Sequence, residues 1–150
     1  MGADMRRDFV QILLSQIGKP YVWGANGPAP GNPEGFDCSG LMVYTLRVLG
    51  LITKHQDYSA EDFRKLCVKL TDKERPRIGD FAVYGKSKAT HIVAIVDDNR
   101  VISASGGDSS CTSVEIARRK GAAVRLHSGI NYRPDFLGVY RNKWLERQAP

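Results

Sequence analysis

The chain has 150 residues, 42% of them hydrophobic and 25% charged, enough for one domain with a real core and ordinary for a globular protein. No apolar run approaches the roughly 18–20 residues that carry a helix across a bilayer, which excludes a membrane-spanning helix. Lys and Arg together number 22 against 16 for Asp and Glu, a net charge of +6, which favours an anionic partner such as nucleic acid, a membrane surface or a cell wall.

The opening stretch, "MGADMRRDFVQILLSQIGKP", has a short apolar run after two arginines. It is interrupted by Ser15 and Gln16 and lacks a small-residue cleavage site, so a cleaved signal is not expected and delivery outside the cytoplasm would take another route. From Asp4 to Ile17 the residues Met5, Phe9, Ile12, Leu13 and Ile17 recur on one helical face, which predicts a helix ended by Gly18 and Pro20. Residues 21–36, "YVWGANGPAPGNPEGF", are dense in Gly, Pro and Asn and read as a long loop, a place for binding or catalysis.

A second helix is predicted over "CSGLMVYTLRVLG", with Leu41, Met42, Thr45, Val48 and Leu49 facing inward and Gly50 closing it. A third follows in "SAEDFRKLCVKL", with Ser59 as N-cap and Asp62 completing a variant capping box. Cys67 shares that helix's apolar face with Ala60, Phe63, Leu66 and Leu70 and reads as core. After "RIGD" the period changes to two. "DFAVYG", "HIVAIVDD", "RVISASG", "AAVRLHS" and "FLGVYRN" are rich in β-branched and aromatic residues and read as strands. A hairpin is expected around Asp98–Asn99. Helices first and strands afterwards predict an α+β domain, helices packed on a central antiparallel sheet. The tail "KWLERQAP" carries no motif, and Cys111 sits in a polar loop, "GGDSSCTS", where a free thiol is possible.

The three cysteines, Cys38, Cys67 and Cys111, form no C-x-x-C pair, and no histidine lies near them at zinc-ligand spacing. Neither a metal nor another cofactor is therefore expected. Cys38 differs from the other two in standing at the start of a helix, within "GFDCSGL". A helix N-terminus stabilises a thiolate, and the free N–H groups of Cys38 and Ser39 are placed to hold an oxyanion. Gly40 is read as leaving the backbone open to a substrate. The neighbouring Asp37 would raise the thiol pKa, and is read instead as a group attractive to a cationic amine. A cysteine nucleophile needs a base. His91, which begins a strand after the turn-rich "YGKSKAT", is the strongest candidate; His55 and His127 are weaker ones.

The segments "GKPYVWG", "DCSGL", "RIGDFAVYG" and "HIVAIVDDNRVISAS" together resemble the NlpC-type cysteine peptidases of bacterial cell walls, over about Gln16 to Ser105. The resemblance implies a papain-like α+β fold with the nucleophile at a helix N-terminus, packed against the sheet that carries the base. It also implies cleavage of peptidoglycan stem peptides, often between D-γ-glutamate and a diamino acid. Carried over by position, Cys38 matches the nucleophile, His91 the base and Tyr21 a tyrosine lining the site. Asp37 and Ser39 match positions that bind the substrate's free amine in some members. The family usually places His, Asn or Gln twelve residues after the base to orient it; here that position is Ser103, a short neutral group, with Asp108 or His127 as other possible orienters.

The expectation is therefore one catalytic domain over residues 1–150, a monomer without cofactor that acts on peptidoglycan at the bacterial wall or periplasm. It needs no nucleic acid, and it is either bacterial or phage-encoded. Two other readings stay open: a thiol amidase or acyltransferase acting on a non-wall substrate, and a non-catalytic phage structural or binding protein on the same scaffold.

Overall fold

The computed structural model describes residues 2–27 and 35–146. The middle of the Gly/Pro-rich loop read from 21 to 36, and residues 147–150 of the tail, lie outside the described residues. Helices α1 (Gly2–Ser15), α2 (Cys38–Val48) and α3 (Ala60–Leu66) precede most of the sheet. Six strands follow: β1 (Val68–Lys69), β2 (Phe81–Tyr84), β3 (His91–Asp97), β4 (Arg100–Ser105), β5 (Ala123–His127) and β6 (Phe136–Arg141), with helix α4 (Val114–Lys120) between β4 and β5. They form one antiparallel sheet in the order β1-β6-β2-β3-β4-β5. This is the expected α+β architecture.

The helices meet the sheet where the sequence periodicity places them. Phe9 and Leu13 of α1, Leu41, Met42 and Leu46 of α2, and Phe63 of α3 are fully buried against Phe81, Val83, Ile92 and Ile102. Three predicted inward positions are outward instead. Ile17 lies beyond the end of α1 and is 47% exposed, Val48, the last residue of α2, is 54% exposed, and Leu66, the last residue of α3, is 42% exposed. All three stand at or past a helix end, where the apolar stripe outruns the packed face. The Ser59 capping box is present, with Asp62 N–H donating to Ser59 Oγ at 3.1 Å and Ser59 N–H to Asp62 Oδ2 at 3.0 Å.

The central strands β2 and β3 are buried along almost their whole length, whereas period-two patterning alone describes a sheet with one wet face. The second face is covered here as well. Ala82, Tyr84, Val93, Ile95, Val101 and Val139 pack there with Ile130, Tyr132 and Phe136. Ile130 and Tyr132 come from a single 3-10 turn, residues 130–132, between β5 and β6. The tail also has a structural part: a second 3-10 turn, Lys143–Leu145, buries Leu145 and sets Trp144 against Tyr58 and Phe63, ring centroids 5.5 and 5.6 Å apart.

The "GD" before β2 is a fastening point. Asp80 is fully buried and accepts from Arg6 Nη1 at 3.0 Å, Arg141 Nη1 at 2.7 Å, the Arg77 N–H at 2.8 Å and the Asn142 N–H at 3.0 Å. One carboxylate thus ties α1 to one end of the β2–β6 pair, where β2 starts and β6 finishes, and its buried charge is matched by two guanidinium groups.

Candidate active site

Cys38 is the first residue of α2, and Asp37 is its N-cap. The Asp37 Oδ1 accepts from the Gly40 N–H at 2.6 Å and from Ser39 Oγ at 3.3 Å, while Oδ2 accepts from the Gly24 N–H at 2.9 Å. Both carboxylate oxygens are thereby committed to holding the helix start against the 24–27 segment. Burial pushes the Asp37 carboxyl up, and the N–H groups of Gly40 and Gly24 oppose this.

Gly40 has a different role from the one its exposure to substrate would give it. A Cβ there would lie 1.9 Å from the Ala25 carbonyl oxygen, so a glycine is needed for the loop to cross the helix. The side chain is absent to admit the protein's own backbone.

Cys38 is 7% exposed, and its sulfur faces the peptide N–H groups of Ile92, Ser39 and Cys38 itself. The ladder between β3 and β4 runs from Asp97↔Arg100 to Ala94↔Ile102; Ile92 lies beyond its last paired position, where its N–H can turn to the sulfur. Burial raises the thiol pKa to about 11, the Asp37 charge adds to this, and the three N–H groups work against it. In the resting site Cys38 is therefore a thiol.

His91 is adjacent to Ile92 on the same strand end and is also 7% exposed. Its ring lies among aromatic rings on the second face of the sheet, 5.7 Å from Tyr84 and 6.3 Å from Tyr132 between centroids. Its polar contacts are through Nε2: Tyr132 Oη at 2.6 Å and Ser103 Oγ at 3.4 Å. Burial lowers the imidazole pKa to about 3, helped by the positive field of Arg133 and by His127 and opposed by Asp135. Thiol and imidazole are thus both neutral at rest.

Tyr21 is buried with its phenol in the field of Cys38 and Asp37. Burial above all raises its pKa, and ionisation of Cys38 or Asp37 would raise it further, so it stays a hydroxyl. Its backbone is stitched in by Tyr21 N–H to the Ala122 carbonyl at 3.0 Å and by Cys111 Sγ, which donates to the Tyr21 carbonyl at 3.1 Å. Cys111 is fully buried, so this thiol is a packing group, unlike the open loop cysteine its polar neighbours suggest. Gly107 presses on the Tyr21 ring: a Cβ there would lie 2.2 Å from the ring's Cδ1.

The structure thus gathers Tyr21, Asp37, Cys38 and Ser39 at the α2 N-terminus; His91 begins β3, one residue before the Ile92 N–H that faces the sulfur, and its ring meets Ser103 of β4. Asp108 is engaged elsewhere, with Ser110 and Lys120. Two groups that the sequence did not place here stand around His91, Tyr132 and Ser105; behind them lies His127, one of the other orienters the sequence offered. Ser103 and Ser105 are two apart on β4, a spacing that puts both on one face and was a usable signal. Tyr132 arrives from a loop and left none. Among the described residues no cluster of His, Cys, Asp or Glu is arranged to hold a metal ion.

Residues 18–126 match the NlpC/P60 family. Peptidoglycan endopeptidase RipA of Mycolicibacterium smegmatis is 32% identical over 99 residues, covering 61% of this chain and 19% of RipA. Peptidoglycan endopeptidase RipB of Mycobacterium tuberculosis is 29% identical over 126 residues, covering 79% of this chain and 50% of RipB. The chain therefore spans half or less of the length of these relatives. The solved structure of the peptidoglycan hydrolase RipB superposes with a TM-score of 0.68 at 21% identity, over 94% of this chain and 65% of that one. RipD of M. tuberculosis, described as a non-catalytic NlpC/p60 domain protein adapted to peptidoglycan binding, superposes with a TM-score of 0.64 at 18% identity, over 92% of this chain and 96% of its own. The fold is shared by both. With more than half of its length matched, this chain belongs to the NlpC/P60 family.

Proposed function

We propose that the protein is a cysteine endopeptidase that hydrolyses amide bonds in peptidoglycan stem peptides, with Cys38 as nucleophile and His91 as general base. The observation that carries this reading is the seating of a buried cysteine at a helix N-terminus against the N–H of Ile92, the residue that follows the buried neutral His91 on β3. A fold shared with a non-catalytic wall binder does not by itself argue for catalysis; that thiol and that base do. The bond is the one the family resemblance implies, between D-γ-glutamate and a diamino acid, and the net charge of +6 suits an anionic wall.

In this mechanism the thiol proton passes to His91 as sulfur attacks the carbonyl carbon. Each charge alone would be expensive in so dry a site. Made together, thiolate and imidazolium offset much of each other's cost. The oxyanion forms at the first turn of α2, where the Cys38 and Ser39 N–H groups lie. Collapse breaks the C–N bond, the leaving amine takes the proton from His91, and a thioester remains. Water then attacks it, giving its proton to His91, and the thiol is restored.

The test is mass spectrometry of the soluble fragments released from purified peptidoglycan, with Cys38→Ala alongside. Fragments from the wild type alone, with masses placing the cut between D-γ-glutamate and the diamino acid, are expected. Release by neither protein, over several wall chemotypes with the thiol kept reduced, overturns the proposal.

A further inference from the structure

For His91 to accept the Cys38 proton through Nδ1, its other nitrogen must carry hydrogen and be held. The nitrogen held here is Nε2, and its nearest partner is the hydroxyl of Tyr132, at 2.6 Å. The Ser103 hydroxyl, at the position where the family resemblance expects an orienting residue, is 3.4 Å away, long for a hydrogen bond. We propose that Tyr132 is the positioning residue that fixes the His91 ring and its tautomer, and that a hydroxyl chain through Ser103 and Ser105 to His127 fixes the direction of its proton. This inference rests on the reading of His91 as the base.

Tyr132 is itself firmly placed. Its ring stacks on His127, centroids 4.0 Å apart and planes 11° from parallel, and meets Tyr84 edge-on at 5.4 Å. The 3-10 turn of residues 130–132 is fastened to the sheet by Tyr84 Oη, which donates to the Ile130 carbonyl at 2.8 Å. The phenol is therefore a rigid arm reaching over the sheet, where a serine at the Ser103 position is too short to hold an imidazole alone.

The chain behind it runs from Ser103 Oγ to Ser105 Oγ at 2.5 Å, and from Ser105 Oγ to His127 Nε2 at 2.9 Å. Burial raises the Tyr132 phenol pKa, and the nearby Ser103 and Ser105 hydroxyls work against this. Once His91 must present a bare Nδ1, the order of protons follows. Its Nε2–H donates to the Tyr132 oxygen, Tyr132 donates to Ser103, Ser103 to Ser105, and Ser105 to a neutral His127 at Nε2. Every donor then has one acceptor. The reverse order would have Tyr132 donate to Nε2 and would put the His91 proton on Nδ1, where it blocks acceptance from the thiol. Burial and the positive fields of Arg125 and Arg133 lower the His127 pKa, which keeps the terminal acceptor neutral.

The experiment is nitrogen-15 NMR of the imidazoles in the full chain at neutral pH, with hydrolysis kinetics on purified peptidoglycan. Wild type is expected to show His91 as a single Nε2–H tautomer. Tyr132→Phe keeps the ring and its stack; it is expected to mix the tautomers and to lower kcat by about 10–100-fold with KM nearly unchanged, part of the roughly 10²–10⁴-fold that a positioned base contributes. Ser105→Ala, which cuts the chain without touching His91, is expected to shift the tautomer in the same direction by less. A pure Nε2–H tautomer retained in both variants, or kcat within about twofold of wild type in Tyr132→Phe, overturns the proposal. If wild type fails to cleave peptidoglycan, the proposed function falls, and the tautomer measurement still decides the role of Tyr132.

Discussion

The Asp37 carboxylate spans two elements, its Oδ1 2.6 Å from the Gly40 N–H and its Oδ2 2.9 Å from the Gly24 N–H. The residue just before Cys38 is therefore a structural cap whose charge also bears on the thiol. The two effects pull apart on mutation. Asp37→Asn keeps an acceptor for the cap, and its cost in stability stays within the roughly 0.5–2 kcal/mol that full loss of a cap carries. It also removes the charge that helps raise the Cys38 pKa. The pH profile of Cys38 alkylation, followed by peptide mapping to separate it from Cys67 and Cys111, is expected to move to lower pH in this variant. An unmoved profile shows that the Asp37 charge does not reach the sulfur.

Burial of His91 makes folding pH-dependent in a definite direction. Its pKa is about 3 in the folded protein and about 6.5 in an unfolded chain. Between those values the unfolded chain binds a proton that the native state refuses, so acid favours unfolding. Stability present above about pH 6.5 is lost toward pH 3, with a slope of up to about 1.4 kcal/mol per pH unit from this group. Urea titrations at pH 7, 6, 5 and 4 are expected to show a flatter acid limb in His91→Gln than in wild type. Parallel limbs would mean that the imidazole charges freely in the native state.

Asp80 carries the largest expected stability effect. The carboxylate is wholly buried, and the side chains it pairs with, Arg6 and Arg141, are 7% and 14% exposed. Asp80→Ala leaves the Arg6 and Arg141 charges only the longer contacts to the more exposed Glu146 and Glu74, and strips the Arg77 and Asn142 N–H groups of their acceptor. Removing one partner from such a buried set costs about 3–5 kcal/mol. The urea midpoint should fall accordingly with the slope of the transition preserved. A loss under about 1 kcal/mol, as for a surface pair, would show that solvent reaches this network.

Most helices and strands of the fold were legible because their signals are local: the Ser59 capping box and the apolar spacing of Phe9 and Leu13 are written in consecutive residues. The end of the third helix was not: α3 stops at Leu66, and Val68–Lys69, read as its last turn, pair with β6 instead. The α2 start was legible for the same reason. What escaped depends on contacts between distant segments. Asp80 reads as a boundary residue until Arg6 and Arg141 converge on it. Cys111, in a run of polar residues, reads as exposed until its thiol is seen against the Tyr21 carbonyl. Tyr132 has no periodicity to betray it, because a three-residue 3-10 turn carries none, and it meets His91 only when that turn folds over the sheet. Helix α4 was hidden because it is short and follows a Gly/Ser-rich run; its basic residues, Arg118, Arg119 and Lys120, form its last turn.

Gly107 offers a way to move Tyr21 without altering any polar group of the site. The glycine lies against the flat of the ring, and a methyl group built on it would come within 2.2 Å of Cδ1 and 2.6 Å of Cε1. Such distances require displacement, and the Tyr21 backbone resists it through the Ala122 and Cys111 contacts. The ring must therefore tilt relative to Cys38, or the 106–108 segment must lift. Overpacking of this kind costs about 1–3 kcal/mol, a loss visible as a lower Tm. If Tyr21 shapes the substrate side of the thiol, Gly107→Ala should also lower kcat/KM on peptidoglycan more than Tm alone explains at a temperature where the variant is folded. A Tm loss with unchanged kcat/KM assigns Gly107 to packing and leaves Tyr21 outside the substrate's path.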